Sequence, residues 1–164
     1  MSQPVLAAQE LIAWNEKTSD GWRHFLAGHP ELLSLPCDIA GVKTVAELLQ
    51  HIVAVELRYA QRLANLPASD YADLPTDSVE SIYGAHDSAF AIFRELLASD
   101  VDWNAPLEFT TRFMGSARSA RKTILFHALL HSIRHYAQLA TMARQNGLKP
   151  DWAMDYLLMD IERV

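Results

Sequence analysis

The histidines offer the most chemistry in this chain, and there are seven of them. His127, His131 and His135 follow one another at intervals of four residues. In a helix, residues at that interval lie one turn apart and about 40° around the axis, so all three share a stripe. Two imidazoles on successive turns can hold one ion through N–metal bonds of about 2.0–2.1 Å. The stripe is also an apolar face, shared with Ile124, Ala128, Leu139 and Met142. With Ile124 as zero, His131 and His135 lie roughly 20° to either side and His127 about 60° away. The first two therefore sit near the centre of the face and His127 near its edge. A single core histidine is ordinarily hydrogen-bonded and inert. Two at the centre of a buried stripe both need their nitrogens satisfied, and one metal ion would serve both.

His51 is the third candidate ligand. Leu48 and Val55 flank it at helical spacing, so it too lies on an apolar face. Two ligands from one helix and one from another match a three-ligand site with an open position, a pattern of catalytic rather than closed structural sites. Whether His51 meets the other two depends on how the helices pack. Imidazoles suit zinc, nickel, copper and iron. Gln138, beyond His135, is placed either to orient an imidazole or the ligand at the open position, or to hydrogen-bond along the helix flank. His127 is read as a pocket-edge proton carrier or as a partly exposed histidine. Among the carboxylates, Glu56 lies about 140° from His51 around its helix and faces elsewhere. His24, His29 and His86 have no partner at useful spacing.

Four long helices must position these groups. The first is expected over about Pro4–Ala27, capped by Ser2, with Pro4 tolerated in its first turn and Leu6, Leu11, Trp14, Trp22, Phe25 and Leu26 on its apolar faces. Thr18-Ser19-Asp20-Gly21 reads as a point where it kinks or breaks. The second spans about Val45–Leu66, opened by a capping box of Thr44 and Glu47 and stopped by Pro67. The third spans about Ser78–Ala98, capped by Thr76 or Asp77. The fourth spans about Ser119–Asn146 and ends at Gly147. Alternation over Leu107–Phe113 suggests a short extended piece turning at Gly115. Trp152, Tyr156, Leu157 and Leu158 suggest a tail that packs back. The expected class is all-α, a four-helix bundle with a short extended segment before the last long helix.

Composition narrows the functions. The 164 residues suit one domain over 1–164, with ordinary apolar content. A formal net charge of −6 and no basic run argue against nucleic acid as a partner. Arg118, Arg121 and Lys122 read as a solvated helix start. The lone Cys37 reads as a small buried hydrophobe, and the absence of a second cysteine fits a reducing compartment. Without an apolar run of about 20 residues or a signal-peptide pattern, a cytoplasmic location and no membrane partner are expected.

Several catalytic patterns are absent. Ser132 stands where a zinc protease would carry Glu, and no Glu-x-x-His pair marks a two-iron carboxylate bundle. There is no Gly-x-Ser-x-Gly elbow. Two passages instead carry a family likeness. One runs from Thr44 through Glu47 and His51 to Glu56. The other, His131-Ser132-Ile133-Arg134-His135-Tyr136-Ala137-Gln138, continues through Leu139 to Asn146-Gly147. Together they resemble the DinB-like, or YfiT-like, family of metal-dependent helical-bundle proteins, whose last long helix carries His-x-x-x-His-x-x-Gln and ends at glycine. The chain departs from the family at Tyr136-Ala137, where relatives often carry Arg-Gly.

The resemblance implies a four-helix bundle binding nickel, zinc or a similar ion through His51, His131 and His135, and implies that homodimers are common. It also implies a thiol S-transferase or hydrolase acting on a small molecule, in some relatives with a low-molecular-weight thiol. A non-enzymatic metal-binding or stress-related protein is the alternative. A third reading is an apolar-ligand or interaction module whose histidines bind no metal.

Overall fold

The computed structural model describes residues 7–111 and 115–163. Four helices, α1 (Ala8–Gly28), α2 (Val45–Leu63), α3 (Val79–Ala98) and α4 (Arg121–Gln145), make up the bundle. An antiparallel hairpin, β1 (Pro106–Thr111) and β2 (Gly115–Ala120), precedes α4 and pairs Leu107 with Ser119 and Phe109 with Ala117. α2 and α1 each pack between α3 and α4, so they occupy opposite corners. The core is mostly apolar, with Trp22, Leu26, Leu48, Ile52, Tyr83, Phe93 and Leu129 among its fully buried side chains. No helix among the described residues is long and apolar enough to cross a membrane.

Local chemistry sets most boundaries. The Thr44 hydroxyl accepts from the Glu47 amide, while the Glu47 carboxylate reaches one residue further back, to the Lys43 amide at 2.6 Å. Half of the expected capping box forms: the Glu47 amide is satisfied, and the reciprocal bond goes to Lys43 in place of Thr44. α2 stops at Leu63, before Leu66, because Asn65 turns left-handed at φ 56°. Ser78 caps α3, in place of Thr76 or Asp77, since its hydroxyl accepts from the Ser81 amide and the Ser81 hydroxyl accepts from the Ser78 amide. α4 begins at Arg121 instead of Ser119, which is paired in β2. Arg118 likewise lies in β2, while the Arg121 guanidinium donates to the Leu63 carbonyl and Lys122 to Asn104. Gly147, at φ 78°, terminates α4 as its position suggests. Cys37 is buried and unpaired with any thiol. Ser2, Pro4, Leu6 and Phe113 lie outside the described residues.

The expected break at Thr18–Gly21 does not occur, and α1 runs through it. Thr18 and Ser19 are buried, with the Ser19 hydroxyl donating to the Glu16 carbonyl. Gly21 is there for another reason: a Cβ at this position would collide with the indole of Trp152. The tail docks in that notch. Trp152 packs edge-on against Trp22 at 5.1 Å between ring centroids. Trp14 Nε1 donates to the Met154 carbonyl, and Tyr156 meets the Trp14 ring. Leu157, expected to pack, is 72% exposed, because the tail turns its other side to α1. Tyr136, the departure from the family pattern, is a core residue that stacks on Trp22 and meets the Tyr83 hydroxyl.

Gly21→Ala should therefore lower stability by about 1–3 kcal/mol, since overpacking outweighs the gain in helix propensity. Gly84→Ala, within α3 and with open space around its position, should raise stability by about 0.5–1 kcal/mol. Urea unfolding of the two variants checks the opposite signs.

Candidate metal centre

α2 and α4 run antiparallel, with Arg121 at the start of α4 bonded to Leu63 at the end of α2. This brings His51 opposite the middle of α4. Leu48 and Ile52, fully buried, fix the rotation of α2, while Ile124, Ala128 and Leu139 fix that of α4. His131 and His135 are consequently buried and His51 is half-buried. Their ring nitrogens converge. His51 Nε2 lies 3.1 Å from His131 Nε2, which lies 3.2 Å from His135 Nε2. All three candidate ligand atoms lie within 4.8 Å of one another.

Those separations fit a shared ion. Nitrogens about 2.0–2.1 Å from one metal stand roughly 2.9–3.4 Å apart for bond angles between square and tetrahedral. Hydrogen bonding explains the cluster less well. Three imidazoles that turn the same nitrogen inward offer either clashing N–H groups or unused lone pairs. Among the described residues the His131 ring makes no hydrogen bond outside the cluster, and its Nδ1 is buried without a partner. His135 is oriented from behind, its Nδ1 at 2.7 Å from Gln138 Oε1. A carboxamide oxygen only accepts, so the proton sits on Nδ1 and the Nε2 lone pair faces the cluster.

The electrostatics favour neutral rings. Burial, then the charges of His135 and Arg134, holds His51 down at about 4. Burial and the neighbouring histidines push His131 to about 2. His135 is also lowered, chiefly by burial, with Gln138 opposing. Neutral imidazole is the form a metal takes. His127 stays outside the cluster. It is exposed, packs edge-on against Tyr59, and lines a cavity of about 310 Å³ with Phe109 and Ile124.

A second polar group escaped the sequence reading. His86 does have a partner: its Nδ1 lies 2.8 Å from Glu56 Oε2 and its Nε2 2.9 Å from Ser19 Oγ. Ser132 Oγ donates to the other Glu56 oxygen at 2.6 Å. Glu56 does face away from His51, yet it is fully buried. His86 thus bridges Glu56 and Ser19, whose hydroxyl also lies 3.0 Å from the Glu16 carbonyl. Burial lowers its affinity for the proton, but Glu56 raises it further, to a net increase. The order Ser19–His86–Glu56 resembles a hydrolytic triad in its bonding. Ser19 is buried, however, and its hydroxyl faces the helix backbone, so the group is structural. The one available signal was the helical stripe on α3, which places His86 beside Tyr83 and Phe90.

The family model described as the DinB family matches residues 1–163. No curated protein matches the chain.

Lowered histidines bind fewer protons folded than unfolded. As pH falls below the ordinary value of 6.5 they therefore subtract from stability, down to about 4 for His51. His86 has the opposite sign, its contribution being present below 6.5 and lost as pH rises through its folded value. With four lowered histidines, His127 included, against one raised, the urea midpoint of metal-free protein should fall between pH 7 and pH 5, and His131→Ala should flatten that fall.

Proposed function

Since the chain belongs to the DinB family, we propose that it is a metal-dependent enzyme acting on a small molecule, a thiol S-transferase or a hydrolase, with nickel or zinc held by His51, His131 and His135. The observation that carries this reading is the convergence of three Nε2 atoms from two helices, with His51 half-buried at the rim. Three protein ligands leave a position for a reactant, whereas closed structural sites use four. A divalent ion held there supplies Lewis acidity and lowers the pKa of a bound thiol or water.

The chain's own groups prepare that site. Gln138 fixes the tautomer of His135, so its lone pair needs no rearrangement. The apolar surroundings keep bulk water from the inner ligands, of which His135 is 3% exposed. His127 stands in front of His131, with ring centroids 5.8 Å apart, and partial burial lowers its proton affinity. It is placed to take up and pass on a proton at the cavity edge. Cytoplasmic residence and pairing into homodimers belong to the same proposal, the first supported by the single buried Cys37 and the second by the family likeness alone.

Untagged protein should carry about one nickel or zinc ion per chain, as for other three-histidine sites. His51→Ala, His131→Ala and His135→Ala should each lose it, and His127→Ala should keep it. Turnover of electrophiles with glutathione, bacillithiol, mycothiol or coenzyme A, or of hydrolysable esters and amides, should follow the metal content. Full metal retention in His131→Ala would sink the site. A loaded protein inert with every thiol and every hydrolysable substrate would leave a metal-binding protein without catalysis.

A further inference from the structure

In a chain of net charge −6, Arg134 stands beside this centre, and Arg58 and Arg62 line a cavity further along α2. Arg134 precedes His135 on α4 and is exposed, with Nη2 at 3.4 Å from His135 Nε2. Its charge is felt by His51, His127, His131 and His135. On the other side, the Tyr71 ring stacks on His51 at 6.3 Å, and the Arg58 guanidinium lies over Tyr71 at 5.2 Å. Arg62, one turn on, lies over Tyr59 and Phe109. Arg58 and Arg62 line a cavity of about 180 Å³ with Val55, Tyr59, Tyr71 and Thr110.

Two arginines elsewhere are neutralised by carboxylates, whereas Arg121 and Arg144 donate to neutral oxygens. Arg23 is paired with Glu80 and Asp87, and Arg94 with Glu16. No described carboxylate forms an ion pair with Arg58, Arg62 or Arg134. Asp70, the carboxylate nearest Tyr71 in sequence on its N-terminal side, accepts from the Ala72 amide. Arg58 and Arg62 each spend one donor on a backbone carbonyl, of Ser69 and Thr110, and keep the rest of the fork. Both guanidinium planes are already braced on aromatic rings, so holding an anion costs little further ordering.

We propose that Arg134, with Arg58 and Arg62, binds an oxyanion on the small molecule taken at the metal centre, so that the substrate or co-substrate is a carboxylate, phosphate or sulfonate. This rests on the metal reading above. The arginines act as specificity determinants: they grip the anionic end while the reacting group occupies the position left by the three histidines. Charge-assisted hydrogen bonds of this kind are worth about 1.5–3 kcal/mol, or about 10–150-fold in affinity.

The test uses full-length protein loaded with cobalt(II) and titrated with small thiols, read by the visible spectrum. Mercaptoacetate and 2-mercaptoethanesulfonate carry an anion, 2-mercaptoethanol carries no charge, and 2-aminoethanethiol carries a cation. The anionic thiols should bind at least about 10-fold tighter than 2-mercaptoethanol, and the cationic thiol weakest. A preference for one anionic thiol over the other separates carboxylate from sulfonate recognition. Arg134→Gln should narrow the gap, and the triple variant with Arg58→Gln and Arg62→Gln should close it while cobalt still binds. Equal affinities in the wild type overturn the proposal and leave the metal centre standing, as does a gap that survives in the triple variant. No cobalt uptake overturns both.

Discussion

One buried carboxylate ties the bundle together. Glu56 lies on α2, its oxygens take a proton each from His86 on α3 and Ser132 on α4, and His86 reaches on to Ser19 on α1. Every helix contributes one group. An unpaired carboxylate at this depth would cost several kcal/mol, and breaking such a pair from one side costs about 3–5 kcal/mol. The network therefore discriminates between packings. A helix slid by one turn or rotated by a third of one would leave a charge bare. Apolar contacts tolerate such errors far better, since most of their energy depends on area alone.

The same tie sets the geometry of the histidines. Ser132 follows His131, so its bond to Glu56 fixes the rotation of the turn that carries both α4 ligands. Glu56 in turn lies just over one turn beyond His51 on α2. The two helices that supply nitrogens are thus joined, on their far side, by a hydrogen bond of 2.6 Å. Nitrogens held 3.1–3.2 Å apart need such a brace, because imidazoles that turn lone pairs toward one another do not attract.

Local patterns in the sequence were readable, and long-range pairings were not. The spacing of His131 and His135 is a property of one helix, and so is their place on its apolar face. The caps Thr44 and Gly147 and the four helices follow from residues a few positions apart. His51 needed the likeness to a family as well as its own face. His86 seemed to lack a partner because its partner is on another helix, 30 positions away in sequence. Gly21 looked like a helix breaker for a related reason. Its absent side chain makes sense only once Trp152 is seen beside it. Ser78 displaced Thr76 and Asp77 as a cap because Ser81 could answer it, whereas the residue three beyond Thr76 is Val79.

The notch at Gly21 also bears on how the chain is made. The indole that fills it is encoded 131 positions downstream, and Trp22, next to it, rests against Trp152 and against Tyr136 of α4. While a ribosome is still copying the hairpin, α1 has been released with its most aromatic surface uncovered. That surface stays sticky until α4 and the segment after it emerge. The first helix to be made is thus the last to have its aromatic face covered, so the order of synthesis and the order of packing run against each other here.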